Sequence, residues 1–332
     1  MMAIMPQMMR FASRLNSFSV RPELFWTDRR RVSTLDLLER VAQVPGLTSV
    51  DLNYPDHLEQ LTVAELRDAL AAHGLALNGF AMRYYSDPAF ALGAFTNPDR
   101  AVREKAIAMT CRAIDLLAEV GGNLVTIWLG QDGFDYAFQA DYSWLWEQEL
   151  EGLRQVALHN PDVLISIEYK PNEPRGFSLL GDIGTTLLAI RELGLPNLGV
   201  TLDFCHVLYA GEQPAYAAML AARHSRLLGL HLNDGYGYRD DGLMVGSVHL
   251  LQTLELLYYM KKLNYDGVIY FDTFPQYQDP VAECANNIAV VKDMFALLER
   301  VDEQALARVF EQQDAVAGQR LIQEFLLSRS AT

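Results

Sequence analysis

Apolar residues recur along this chain in two alternating rhythms. Segments 34–41, 63–73, 100–120, 141–159, 185–193, 214–224, 248–262 and 280–299 carry them at helical spacing. Between these lie short apolar, β-branched runs at 47–53, 75–82, 124–128, 163–168, 198–203, 227–232 and 267–272, with a mixed apolar stretch at 11–18 ahead of the first helix. The punctuation agrees: Ser33 and Thr34 cap one helix, Gly74 and the pair Gly121-Gly122 stop two others, and Pro214 stands at a first helical position. About eight strands separated by helices predict a parallel sheet, and at this length a (β/α)8 TIM barrel over residues 1–300. Residues 302–328 read as one further helix, heavily charged on one side. This C-terminal helical extension, 301–332, suits packing on a neighbouring subunit of a homo-oligomer or on its own barrel.

Four of the later strands end on a residue able to bind a metal: Glu168, Asp203, His231 and Asp272. A parallel barrel brings the carboxyl ends of all its strands to one face, so these termini converge on one mouth. Each alone also fits a hydrogen-bonded strand terminus; the four together point to a cation site. Glu168 and Lys170, two residues apart, share one face of their strand's end, either as a buried ion pair or as part of that site. Asp203 and His206 can face one ion only if the chain bends after Asp203. The oxygen-rich donor set suits Mg, Mn or Co better than zinc, which leaves Cys205 to packing.

Composition narrows the partners. The 332 residues hold 27 basic against 42 acidic side chains, a net charge of −15 that disfavours nucleic acid. The apolar start, Met1 to Pro6, is too short for a membrane span and lacks the features of a signal peptide. Three cysteines without a CxxC pair suggest a reduced, cytoplasmic protein.

The segment Glu168-Tyr169-Lys170-Pro171-Asn172-Glu173-Pro174-Arg175-Gly176 closely resembles the part of xylose isomerases that supplies a metal-ligating glutamate, a catalytic lysine and a glutamate behind it, and the similarity runs from roughly Tyr54 to Pro275. The resemblance implies one divalent ion held by Glu168, Asp203, His231 and Asp272, and a second held by Asp203, His206 and the loop carboxylates Asp240 and Asp241. It makes Lys170 catalytic and Glu173 the residue that orients it. The family's ring-opening histidine falls on Asn53, with His57 nearby, and that histidine's aspartate partner on Asp56. Trp128 and Tyr85 stand where the family places the aromatics that flank its sugar. The chain departs from the family in carrying Asp203 for glutamate and His231 for aspartate, as rhamnose isomerases and related epimerases do. Its loop aspartates are adjacent rather than one residue apart, so Gly242 falls at the second family position.

The implied activity is interconversion of an aldose and a ketose, with hydrogen passing as hydride between C1 and C2 of a small sugar. The runner-up is a sugar epimerase of the same superfamily that moves a proton through two carboxylates. Those epimerases carry glutamate where this chain has Asp272; aspartate, one methylene shorter, is poorly placed to reach a carbon-bound proton. A third reading, a sugar-binding barrel that has lost catalysis, conflicts with the joint presence of Glu168, Lys170, Asp203, His206, His231 and Asp272.

Overall fold

Eight short strands, all parallel, close into a barrel in the computed structural model, which describes residues 9–26 and 32–327. They are β1 (Phe11–Arg14), β2 (Ser49–Tyr54), β3 (Ala76–Met82), β4 (Leu124–Ile127), β5 (Leu164–Glu168), β6 (Leu198–Asp203), β7 (Leu227–Leu232) and β8 (Ile269–Phe271). Neighbours follow sequence order, and β1 closes the ring by pairing Phe11 with Ile269 and Ala12 with Ser49. The stretch at 11–18, mixed in character, thus supplies the first strand and a 3-10 turn, Leu15–Ser19. The opening Met1 to Pro6 lies outside the described residues.

Alternation along each strand separates two buried environments. In β5 the side chains of Ile165 and Ile167 are fully covered, while Ser166 bonds the Thr201 hydroxyl at 2.5 Å and Glu168 reaches the mouth. This is the two-sided burial expected of a parallel sheet wrapped by helices. Close strand approach fixes Gly229, where a Cβ would come within 2.4 Å of Thr201 Oγ1.

The helices are α1 (Thr34–Val41), α2 (Val63–Ala72), α3 (Arg100–Val120), α4 (Tyr142–His159), α5 (Ile183–Leu193), α6 (Phe204–Tyr209), α7 (Pro214–His224), α8 (Leu250–Lys262) and α9 (Pro280–Leu298). Their ends obey local chemistry. Ser33 with Asp36 and Thr62 with Glu65 form capping boxes, and Gly121 and Gly194 take the left-handed backbone that stops α3 and α5. The short α6 had no counterpart in the hydrophobic pattern. It starts at once after β6, with the Asp203 carboxylate accepting the His206 backbone N–H at 3.0 Å, which is how the chain bends there.

Two further features differ from the sequence reading. Gly133–Phe134 pairs antiparallel with Phe177–Ser178, so the proline-rich loop after β5 is partly a ribbon, with Phe134 stacked on Phe177 at 5.2 Å. The tail is two helices, α10 (Glu303–Gln312) and α11 (Ala315–Leu327), because Gln313 turns left-handed at φ 52°. The tail packs on its own barrel: Leu306 is buried, Phe310 lies 6.2 Å from Tyr258 of α8, and Lys261 pairs with Glu303 at 3.8 Å. Among the described residues no helix is long and apolar enough to cross a membrane.

Candidate metal and sugar site

The barrel register places the strand-end residues side by side, Glu168 pairing in register with Thr201, and Asp203 with His231. Glu168, Asp203, His231 and Asp272 each offer a ligand atom, and these atoms all lie within 4.8 Å of one another. His231 Nδ1 is 3.2 Å from Glu168 Oε1 and 3.9 Å from Asp203 Oδ2. Beside them, His206 Nε2 donates to Asp240 Oδ2 at 3.1 Å, and its Nδ1 donates to the Tyr169 carbonyl at 3.0 Å.

Crowding these charges out of water shifts each of them. Burial pushes Asp203 up to about 7, helped by Asp240, Glu168 and Asp272 and opposed by His206. Burial also opposes ionisation of Glu168, yet His231, His206 and Arg83 hold it down to about 2. The histidines respond in the opposite sense: burial disfavours their charge, but Asp203 and Asp240 raise His206 to about 10, and Glu168 and Asp272 raise His231 to about 9.

A divalent cation fits this donor set. Asp272 Oδ1 and Asp240 Oδ1 are buried without a hydrogen-bond partner, although Arg14 Nε stands 3.5 Å from Asp272 Oδ1, close enough for ionic contact but out of hydrogen-bonding alignment. Buried carboxylate oxygens left open next to two histidines call for a cation, and an O/N set suits Mg, Mn or Co.

A cavity of about 190 Å³ opens over the cluster, lined among others by Glu168, Lys170, His206, His231, Asp240 and Asp272. Trp128 and Tyr85 also line it, their rings 5.3 Å apart, and Lys170 Nζ lies 5.2 Å from the Trp128 ring. Glu173 stays outside the cavity but holds Lys170 at 2.8 Å, while Asp240 holds it at 3.2 Å from the other side. Burial works against the Lys170 charge; these two carboxylates outweigh it and raise its pKa.

Three residues singled out in the sequence are not brought to this group. Asp241 is turned away, its carboxylate taking the Arg239 guanidinium at 2.7 Å and the Tyr236 N–H at 2.9 Å. Asp56 accepts from Ser86 at 2.9 Å and borders a separate cavity of about 390 Å³. Asn53 is buried at the end of β2 but is not among the residues lining the 190 Å³ cavity. Its N–H donates to His57 Nδ1 at 3.0 Å, and the His57 Nε2 bonds Asn16 at 2.5 Å. Burial, aided by Arg83 and Arg14, lowers His57 to about 3, so His57 is a neutral strut between β2 and the turn after β1.

Sequence reasoning passed over Asn233, Arg14 and Arg83. Asn233 Nδ2 lies 3.2 and 3.0 Å from the two Asp203 oxygens and 3.1 Å from the Asp272 carbonyl, while its Oδ1 accepts the Cys205 N–H at 2.9 Å. Arg14 ends β1, Arg83 follows β3 and both line the cavity. The strand-end rule that found the carboxylates would have found them too, had cations been counted.

A xylose isomerase of Thermus thermophilus is 30% identical over 258 residues, spanning 74% of this chain and 66% of that one, just under two thirds of its length. A Thermus caldophilus xylose isomerase is 28% identical over the same shares. Among solved structures, a D-tagatose 3-epimerase-like protein superposes with TM-score 0.70 at 18% identity, covering 88% of this chain and 98% of that one. An L-ribulose 3-epimerase gives 0.69 at 17% identity, covering 89% and 98%. A family model matches residues 38–298, and the chain therefore belongs to the xylose isomerase-like TIM-barrel family.

Proposed function

We propose that this chain is a divalent-metal-dependent isomerase that interconverts the aldose and ketose forms of a small sugar. The observation that carries this reading is the Lys170 ammonium, held charged by Glu173 and Asp240 on the Trp128 face, beside the Glu168, Asp203, His231 and Asp272 cluster. A divalent ion bound by those four residues supplies Lewis-acid polarisation of the substrate's oxygens. Lys170 donates to the carbonyl oxygen as negative charge grows there, an oxyanion contact worth roughly 2.7 to 4 kcal/mol when preorganised. Glu173 keeps the ammonium in place without entering the cavity. Trp128 and Tyr85 cover one side of the sugar and exclude water.

Hydrogen transfer in this reading runs directly between carbons. In this reading Asp272, one methylene shorter than the glutamate that the epimerases carry there, serves the ion rather than acting as a general base on carbon. Turnover in deuterated water, followed by NMR of the product, tests this. The expected product carries little deuterium on carbon. Stoichiometric deuterium at the reacting carbon would favour carboxylate proton transfer and the epimerase reading instead.

A further inference from the structure

We infer that the substrate carries an anionic group, a carboxylate or a phosphate, which the Arg83 guanidinium receives. This rests on the sugar-isomerase reading and names its substrate class. Apart from the two histidines of the cluster, three basic side chains line the cavity, and two already have carboxylate partners. Lys170 stands between Glu173 and Asp240; Arg14 Nε lies 3.5 Å from Asp272 and its guanidinium rests on the Phe274 ring at 4.5 Å. Arg83 differs. Among the described residues its side chain has no carboxylate within ion-pair distance and no hydrogen bond; its Nε, like that of Arg14, is buried without a hydrogen-bond partner, and its guanidinium stands 5.2 Å from the Tyr85 ring.

A guanidinium carries five donors in a planar fork matched to carboxylate and phosphate oxygens. Lining a ligand cavity with that fork unfilled is poor use of a charge for a neutral polyol, which can be bound by amides, hydroxyls and aromatic faces. Arg83 lies against Tyr85, Tyr85 against Trp128 and Trp128 against Lys170, so both side chains border one linked set of aromatic rings in the same cavity. A substrate whose reacting carbonyl meets Lys170 is therefore held in a cavity whose wall also offers it the Arg83 fork. The Arg83 charge also reaches Glu168 and favours its ionised form. That service needs charge alone and leaves the donors open.

Calorimetry on the full chain loaded with Mn²⁺ separates the possibilities, using three four-carbon probes that differ at one end: erythronate, erythritol 4-phosphate and erythritol. At least one anion should bind roughly 10- to 100-fold more tightly than erythritol, the scale of a charge-assisted contact. The better anion identifies the group. Arg83→Gln should erase that preference, with circular dichroism and a Mn²⁺ titration of the variant reporting whether the fold and the cation site are intact. Arg83→Lys keeps the charge, loses the fork and should retain only part of the preference. Erythritol binding as tightly as both anions, or a full preference surviving in the variants, overturns the inference. Anion binding without isomerisation removes the isomerase reading alone; turnover of a neutral aldose with no anion preference removes this inference alone.

Discussion

Loading the site with metal should release protons, and His206 shows why. Its Nδ1 faces the Tyr169 carbonyl at 3.0 Å and its Nε2 faces Asp240 at 3.1 Å. Burial opposes ionisation of Asp240, but His206 and Lys170 hold its carboxyl well below the usual range, so both neighbours of the ring are pure acceptors. Both ring nitrogens must then donate, which is the imidazolium form. The balance of burial against Asp203 and Asp240 says the same, placing His206 at about 10, and His231 beside Glu168 at about 9. A cation can take a ring nitrogen only after its proton has left.

The magnitude follows. Between about pH 7 and 8 both rings are charged in the metal-free protein, so filling the Glu168, Asp203, His231 and Asp272 position releases about one proton, and recruiting His206 releases about one more. Because the metal-free form binds the extra proton, affinity rises with pH, roughly tenfold, or about 1.4 kcal/mol, per pH unit for each proton displaced. The rise levels off above the histidine values near 9 and 10, and steepens below about 7, where Asp203 must also ionise. Titrating Mn²⁺ calorimetrically in buffers of different protonation enthalpy counts the protons directly. His206→Asn should lower the count by about one. Heats that do not change with buffer, or an affinity constant from pH 6 to 8, would refute the charged-histidine account.

Asp203→Asn should weaken metal binding by roughly 100-fold or more at both positions, more than losing a supporting residue costs; two unaltered calorimetric events would remove Asp203 as a shared ligand. Asn233→Ala should lower metal affinity by roughly 10- to 100-fold, since it frees the Asp203 carboxylate that Asn233 holds, and an unchanged titration would make that bond incidental. Lys170→Met should leave metal binding intact and slow turnover by roughly 100-fold or more; near-normal turnover would reduce Lys170 to an ion pair with Glu173 and Asp240.

The barrel and the convergence of Glu168, Asp203, His231 and Asp272 were legible in the sequence because both rest on local rules. Strand and helix periods set the alternation, parallel closure puts every strand's carboxyl end at one mouth, and a strand ending on Glu168, Asp203 or His231 therefore delivers its side chain there whatever else the fold does. Tertiary structure decided what spacing along the chain cannot: where a side chain on a loop finally points. Asp240 and Asp241 are neighbours of one charge and type, yet Asp240 meets His206 and Lys170, while Asp241 is claimed by Arg239 and the Tyr236 N–H. Asp56 and His57 likewise lie in the turn after β2, two and three residues past Tyr54, and are used by Ser86 and Asn16. The tail's seat on α8 depends on partners 45 or more residues away in sequence, Tyr258 with Glu303 and with Phe310, a separation at which no local pattern carries information.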